Sequence, residues 1–168
     1  MGISHLGIYV KEGDLDKMTE WYLAVLAPLG YRLHKDIRPH AQVIGIGATY
    51  PDFWIATGLE QKDMPKQTLH IAFTASTRQQ VRDFHALAMK LGAKDNGGPG
   101  LRPQYTSTYY GAFVFDPEGR NIEVHTILPE VWTEHRQRAL LLGGVGALAA
   151  FGLSYFTSVG VYLRHLLL

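Results

Sequence analysis

The feature that most constrains this chain is an internal duplication. From about residue 3 to residue 128 one order of elements is read twice: a strand, a helix, then three strands. The first copy opens on "ISHLGIYV". It continues into a helix from Asp14 to about Ala27, where Leu15, Met18, Tyr22 and Val25 recur at helical spacing behind Asp14 as N-cap. Pro28 and Gly30 close that helix, and three short strands follow: "YRLHK", "AQVIGIGAT" and "DFWIAT". The second copy opens on "TLHIAFTA". Its helix starts at a capping box of Thr77 and Gln80, carries Val81, Phe84, Ala88 and Leu91 on one side, and ends at Gly92. A short strand near "AKD", a glycine- and proline-rich loop "NGGPGLRP", and the strands "YYGAFVFD" and "RNIEVHTI" around a "DPEG" turn complete it. A helix covers only one face of a small sheet, so two such units are expected to pair with their sheets curling into a common cup. The expected fold class is α+β, two paired βαβββ units.

Composition narrows the function. A formal net charge of +1 offers no basic excess to phosphate, so nucleic acid is not an expected partner. The absence of cysteine excludes disulfides, thiolate metal sites and a cysteine nucleophile. The start, "MGISHLGIYVKEGD", has neither the basic nor the apolar region of a secretory signal.

The tail differs from the rest. From Ala139 to Leu163 no charge occurs for 25 residues, with Arg136 and Arg138 before it and Arg164 after it. As a helix that segment would reach roughly 37 Å, enough to cross a hydrocarbon layer of about 30 Å with some tilt. Its glycines at 143, 144, 146, 152 and 160 suit a membrane helix better than a soluble one. The expectation is a domain over residues 1–130, built of repeats at about 1–60 and 66–130. A linker over 131–138 and a transmembrane tail anchor over 139–163 follow, with the domain facing the cytosol.

Aligning the two copies sets His5 on His70 and Trp54 on Glu123, with 49 residues from His5 to Trp54 and 53 from His70 to Glu123. Strand alternation puts His5 on a face with Ile3, Gly7 and Tyr9, and His70 on a face with Thr68, Ala72 and Thr74. Leu6, Ile8 and Val10, and in the second copy Leu69, Ile71 and Phe73, fall on the opposite faces and are expected beneath the helices. Glu123 shares its face with Asn121 and His125. Two imidazoles and a carboxylate converging in the cup would make a two-histidine, one-carboxylate set that binds a divalent metal and leaves positions open. Iron, manganese, zinc, nickel and cobalt all accept such a set. The plain alternative for Glu123 is a solvated face or an ion pair with Arg120.

"SHLGIYV", "LHIAF" and "DPEGRNIEVH" resemble the vicinal oxygen chelate superfamily, which includes glyoxalase I, extradiol dioxygenases and bleomycin-resistance proteins; "PDFWI", "DNGGPGLRP" and "YYGAFVFDPEG" look like its small single-domain glyoxalase-like members. The resemblance covers residues 1–128. It implies paired βαβββ units and carries the metal positions over to His5, His70 and Glu123. It also implies a divalent metal that chelates two oxygens of a small substrate, with lyase, isomerase or dioxygenase chemistry. Trp54 departs from the glyoxalase I pattern, where a second carboxylate serves as ligand and base, and this argues against lactoylglutathione isomerisation.

Other candidates are Tyr109 and Tyr110, one of which must face the cup and could donate a proton or hydrogen bond, and Arg102, which could clamp a substrate carboxylate. His125 could orient Glu123. Trp54 offers a stacking wall, the mark of a rival reading in which the cup sequesters a small aromatic ligand, bleomycin-resistance fashion, without chemistry. Whether the halves close within one chain or exchange across a homodimer is open at this stage.

Overall fold

The structure is a computed structural model, and it describes residues 3–58 and 69–130. The elements run β1 (Leu6–Tyr9), α1 (Leu15–Leu26), a 3-10 turn (Ala27–Leu29), β2 (Arg32–Asp36), β3 (Val43–Gly47) and β4 (Phe53–Ala56). The second half repeats them as β5 (His70–Thr74), α2 (Arg78–Lys90), β6 (Lys94–Leu101), β7 (Tyr110–Phe115) and β8 (Asn121–Thr126). Each half forms a four-stranded sheet, ordered β1-β4-β3-β2 and β5-β8-β7-β6. The first strand of each half lies parallel to the fourth and the other pairs are antiparallel. The expected α+β, twice βαβββ architecture is therefore present.

Local chemistry accounts for most of the element ends. At α2 the capping box forms in both directions: Gln80 N–H donates to Thr77 Oγ1 at 3.1 Å and Thr77 N–H to Gln80 Oε1 at 3.1 Å. Such a cap is worth about 1 kcal/mol. Gly92 ends the helix at φ +78°, a conformation that excludes most other residues. Asp14, expected to cap α1, makes no side-chain cap bond. Its backbone at φ −97°, ψ 4° is not extended, and its carboxylate lies instead 3.8 Å from the Lys17 ammonium. The expected "NGGPGLRP" loop is largely strand. β6 runs to Leu101 with register shifts between Asp95 and Gly97 and between Gly97 and Gly100. Bulges absorb the glycines, and β6 is an edge strand, where Pro99 need not donate to a ladder.

Alternation sorts the faces as expected. Ile8, Val10, Ile71 and Phe73 are buried beneath the helices with Met18, Tyr22, Val25, Val81, Phe84 and Ala88. Leu69 and Leu91, expected in that core, are 39% and 46% exposed, because the first precedes β5 and the second is the C-cap of α2.

The halves are joined through a buried polar knot at the "DPEGR" turn. Arg120 is 1% exposed and donates to Asp116 Oδ2 at 2.7 Å, to Glu118 Oε2 at 2.7 Å and to the carbonyl of Tyr9 in the first half. Tyr22 donates to Asp116 Oδ2 at 2.7 Å and Lys11 N–H to Glu118 Oε1 at 2.9 Å. Phe53 and Phe73 meet edge to face at 5.5 Å, and Gln80 Nε2 donates to the carbonyl of Pro28 at 2.8 Å.

Candidate functional site

The strand register fixes the repeat atom by atom. Gly7 pairs with Trp54 as Ala72 pairs with Glu123, and each lies two residues beyond the histidine that opens its half. Trp54 and Glu123 are thus structural equivalents on the faces turned away from the helices. In the first half that face carries exposed His5, Gly7 and Tyr9; in the second it carries His70, Ala72 and Thr74.

Glu123 is buried, at 3% exposure, by its neighbours on that face. Tyr109 donates its hydroxyl to Oε1 at 2.6 Å, and His70 Nε2 stands 3.1 Å from Oε2. Behind His70, Asn121 Nδ2 lies 2.7 Å from Nδ1, and Asn96 Nδ2 donates to Asn121 Oδ1 at 3.0 Å. An amide nitrogen can only donate, so Nδ1 accepts and Nε2 carries the ring proton toward the carboxylate. The Tyr109 ring stacks on His125, centroids 4.6 Å apart and planes 3° from parallel. Burial, then the hydrogen bond to Glu123 and its charge, push the Tyr109 phenol well above its ordinary value of 10. The hydroxyl is therefore a neutral donor at physiological pH. The ion pair with Arg120 considered above as the plain alternative is not made; Arg120 serves the turn.

Close approach at one backbone position permits this cluster. A Cβ on Gly111 would sit 3.1 Å from Glu123 Oε1, 3.3 Å from Tyr109 Cε1 and 3.4 Å from His125 Cβ. Glycine inside a strand is the only signal of such a site that a sequence offers, and it does not say what approaches.

Of the expected site residues, the structure brings together His70, Glu123 and Tyr109, with His125 alongside. Tyr110 points the other way, packed against the core with the Arg78 guanidinium 5.0 Å from its ring centre. That corrects its assignment to the site, because adjacent strand residues face opposite sides. Arg102 lies over Phe113 at 5.5 Å, and His70 stacks on the same ring at 6.3 Å. Its guanidinium is held by the carbonyls of Gly98, at 2.8 Å, and Leu101, at 3.2 Å. Trp54 is partly buried, its indole lying over Gly45. His5 is exposed, and its Nδ1 lies 2.8 Å from the Ser4 hydroxyl.

Among the described residues no three His, Cys, Asp or Glu side chains stand close enough to hold a metal ion together. Of His5, His70 and Glu123, expected to converge, the last two are in contact, while His5 lines a cavity with His70 and has its Nδ1 on the Ser4 hydroxyl. His70 and Glu123 stand at a spacing that a metal would accept as well as a hydrogen bond does. Donors bound to one ion at about 2.1 Å and at right angles stand about 3 Å apart, the spacing of Nε2 and Oε2. Asn121, Asn96, Phe113 and Gly111 complete the cluster and were not singled out from the sequence.

No helix among the described residues is long and apolar enough to cross a membrane. The segment expected to do so, 139–163, lies outside the described residues, as does the linker before it.

Comparison with known proteins agrees with this architecture. A glyoxalase/bleomycin resistance protein from Albidiferax ferrireducens superposes with a TM-score of 0.57 at 22% identity, covering 71% of this chain and 96% of that one. A glyoxalase/bleomycin resistance protein/dioxygenase family enzyme from Burkholderia phytofirmans gives 0.60 at 19% identity, over 76% and 100%. A fosfomycin resistance protein from Mesorhizobium loti gives 0.53 at 21% identity, over 74% and 91%. No curated protein sequence matches the chain. The family model for the glyoxalase, bleomycin resistance protein and dioxygenase superfamily matches residues 2–124. With its duplicated βαβββ fold and that match over most of its length, the chain belongs to the glyoxalase/bleomycin resistance protein/dioxygenase superfamily.

Proposed function

We propose that the protein is a metal-dependent enzyme acting on a small substrate that offers two oxygens to a divalent ion held by His70 and Glu123. The observation that supports this reading most is the 3.1 Å separation of His70 Nε2 from Glu123 Oε2, beside a hydroxyl that occupies the other carboxylate oxygen. A bound divalent ion would supply Lewis acidity, stabilising negative charge that develops on a substrate oxygen. The chain's own residues do the rest. Tyr109 keeps its proton and fixes the carboxylate, so that Oε2 alone is presented. Phe113 supports the His70 ring, and Arg102 beyond it offers a cation to an acidic group on the substrate. Trp54 replaces the carboxylate of the first half, which argues against lactoylglutathione isomerisation and leaves a ligand set closer to the dioxygenase pattern.

The third ligand in this reading is His5 of the partner subunit in a homodimer, since His5 is exposed and outside the His70 and Glu123 cluster. Metal content of the purified protein tests the reading: stoichiometric metal in the wild type and loss in His70→Ala and Glu123→Ala. Mixing His5→Ala and His70→Ala chains should then restore part of the metal, because one intact set forms per mixed dimer. Metal retained at full stoichiometry by both single variants overturns the assignment.

A second reading has one observation in its favour, the indole of Trp54 spread over Gly45 on the open face. There the site sequesters an aromatic molecule without chemistry, and binding would persist in chelator. Three known relatives of the fold carry resistance in their names, and a sequestering role would be of that kind. The uncharged run 139–163 is proposed as the anchor of a domain on the cytosolic side. Removal of residues 139–168 should release the protein from the membrane fraction.

A further inference from the structure

Five side chains form one directed chain of hydrogen bonds: Asn96 Nδ2 to Asn121 Oδ1, Asn121 Nδ2 to His70 Nδ1, His70 Nε2 to Glu123 Oε2, with Tyr109 closing on Oε1. Every donor in it points toward the carboxylate. Its direction has a chemical consequence. The nitrogen of His70 nearest Glu123 bears the proton, and a nitrogen bearing its proton has no lone pair for a cation.

From this we infer that Asn121, oriented by Asn96, selects the tautomer of His70 and thereby sets how readily the His70 and Glu123 pair accepts a metal. The inference rests on the metal reading above for its purpose. With the amide as placed, Nδ1 accepts and Nε2–H is held against Glu123. Turning the Asn121 amide over presents Oδ1 to the ring, so that Nδ1 carries the proton and Nε2 is freed toward Oε2. Asn96 must reverse with it, since its amide then accepts from Asn121 Nδ2. Both asparagines can do so, because each carries one donor and one acceptor end of nearly equal size. A glutamate or lysine at either place could not.

The position of Asn96 supports the assignment. It falls at the first register shift of β6, between Asp95, which pairs with Val114, and Gly97, which pairs with Phe113. A residue left out of the ladder is free to be aimed elsewhere, and this one reaches Asn121 across an intervening strand. The link from metal-site imidazole to an outer hydrogen-bond partner is the usual means by which ring orientation and tautomer are fixed. Here the partner is an amide, which can serve either tautomer.

Nitrogen-15 NMR of the full-length, metal-free protein at alkaline pH tests this without activity. The wild type should show His70 as the Nε2–H tautomer. Asn121→Asp offers only acceptors and should convert it to Nδ1–H. Asn96→Asp, at the exposed outer end of the chain of bonds, should do the same by forcing Asn121 Nδ2 away from the ring. Co(II) alone, titrated into each protein, should bind on the order of tenfold more tightly to both variants than to the wild type. The proposal is overturned if the wild type already holds Nδ1–H, if neither variant changes the tautomer, or if the tautomer changes while Co(II) affinity does not. Should the tautomers shift as expected while no protein binds Co(II), the tautomer assignment stands and the metal reading of the preceding subsection fails.

Discussion

The hydroxyl of Tyr109 reaches Oε1 of Glu123 at 2.6 Å past position 111, on β7 just beyond Tyr109, which has no side chain. A methyl there would fall 3.1 Å from the carboxylate oxygen and 3.3 Å from the phenol ring, and each must give way. Gly111→Ala is therefore expected to lengthen or break this bond. The cost is about 1–3 kcal/mol, the range for overpacking a tight site and for losing a hydrogen bond to a charged group. Urea denaturation measures it. The same variant should move the Tyr109 phenol back toward its ordinary value, read from the ultraviolet titration against Tyr109→Phe.

Three tyrosines make the fold sensitive to high pH. Burial first, and then a neighbouring carboxylate, raise the phenols of Tyr22 (Asp116), Tyr31 (Asp52) and Tyr109 (Glu123) above the ordinary value of 10. In the unfolded chain each would ionise near 10, while in the fold each keeps its proton beyond that. The unfolded state thus sheds protons first as pH rises, and stability falls. The contribution is fully present below about pH 10 and is lost as pH climbs through the raised folded values. Denaturant midpoints should be flat across neutrality from this source and drop steeply above pH 10, less so in Tyr109→Phe. A midpoint unchanged to pH 11 would contradict the burial of these groups.

Much of this molecule can be read from its residues alone, and the limits follow physical lines. The duplication, the capping box at Thr77, the stop at Gly92 and the pairing of Trp54 with Glu123 rest on local spacing and on strand alternation, which one sequence contains. The choice between Tyr109 and Tyr110 needed the phase of β7, which the register of β7 against β8 supplies. Only the start of β6, near "AKD", is legible, because the glycines and Pro99 beyond it carry turn signals that bulges and an edge position reconcile with a strand. Asn96 could not be found, since its approach to Asn121 spans 25 residues of sequence and two strands. The relation of His5 to His70, which line one cavity, is likewise a matter of how two sheets are set, not of spacing along the chain.

Arg120 is expected to be the most costly single polar residue to remove. It is buried with Asp116 and joins the start of β8 to the carbonyl of Tyr9, so its loss leaves an unpaired carboxylate inside the protein. Breaking one partner of such a pair costs about 3–5 kcal/mol. Arg120→Met should therefore destabilise far more than Tyr22→Phe, which forfeits one bond to Asp116 and about 1.5–3 kcal/mol. A double-mutant cycle should show the two coupled, because both act on the same carboxylate. Additive effects would mean that the knot does not function as a unit.

Trp54 and Gly45 give a test of what the first half contributes. The indole covers Gly45 so closely that a Cβ there would lie 2.9 Å from Cζ3 and 3.0 Å from Cε3 and Cη2. All three atoms belong to the far end of a side chain with two free torsions, so Gly45→Ala should displace the ring and leave the backbone in place. The Trp54 emission is then expected to shift to the red as the indole meets water, with a stability loss of about 1–3 kcal/mol at most. If aromatic ligands stack on this ring, Trp54→Ala should weaken them by about tenfold, the loss of roughly 1.4 kcal/mol of stacking, while metal content stays at the wild-type level. His70→Ala should do the reverse, losing metal and sparing a purely stacked ligand. Ligand binding lost in both variants would tie the indole and the metal pair into one site; lost in Trp54→Ala alone, it would favour sequestration over chemistry.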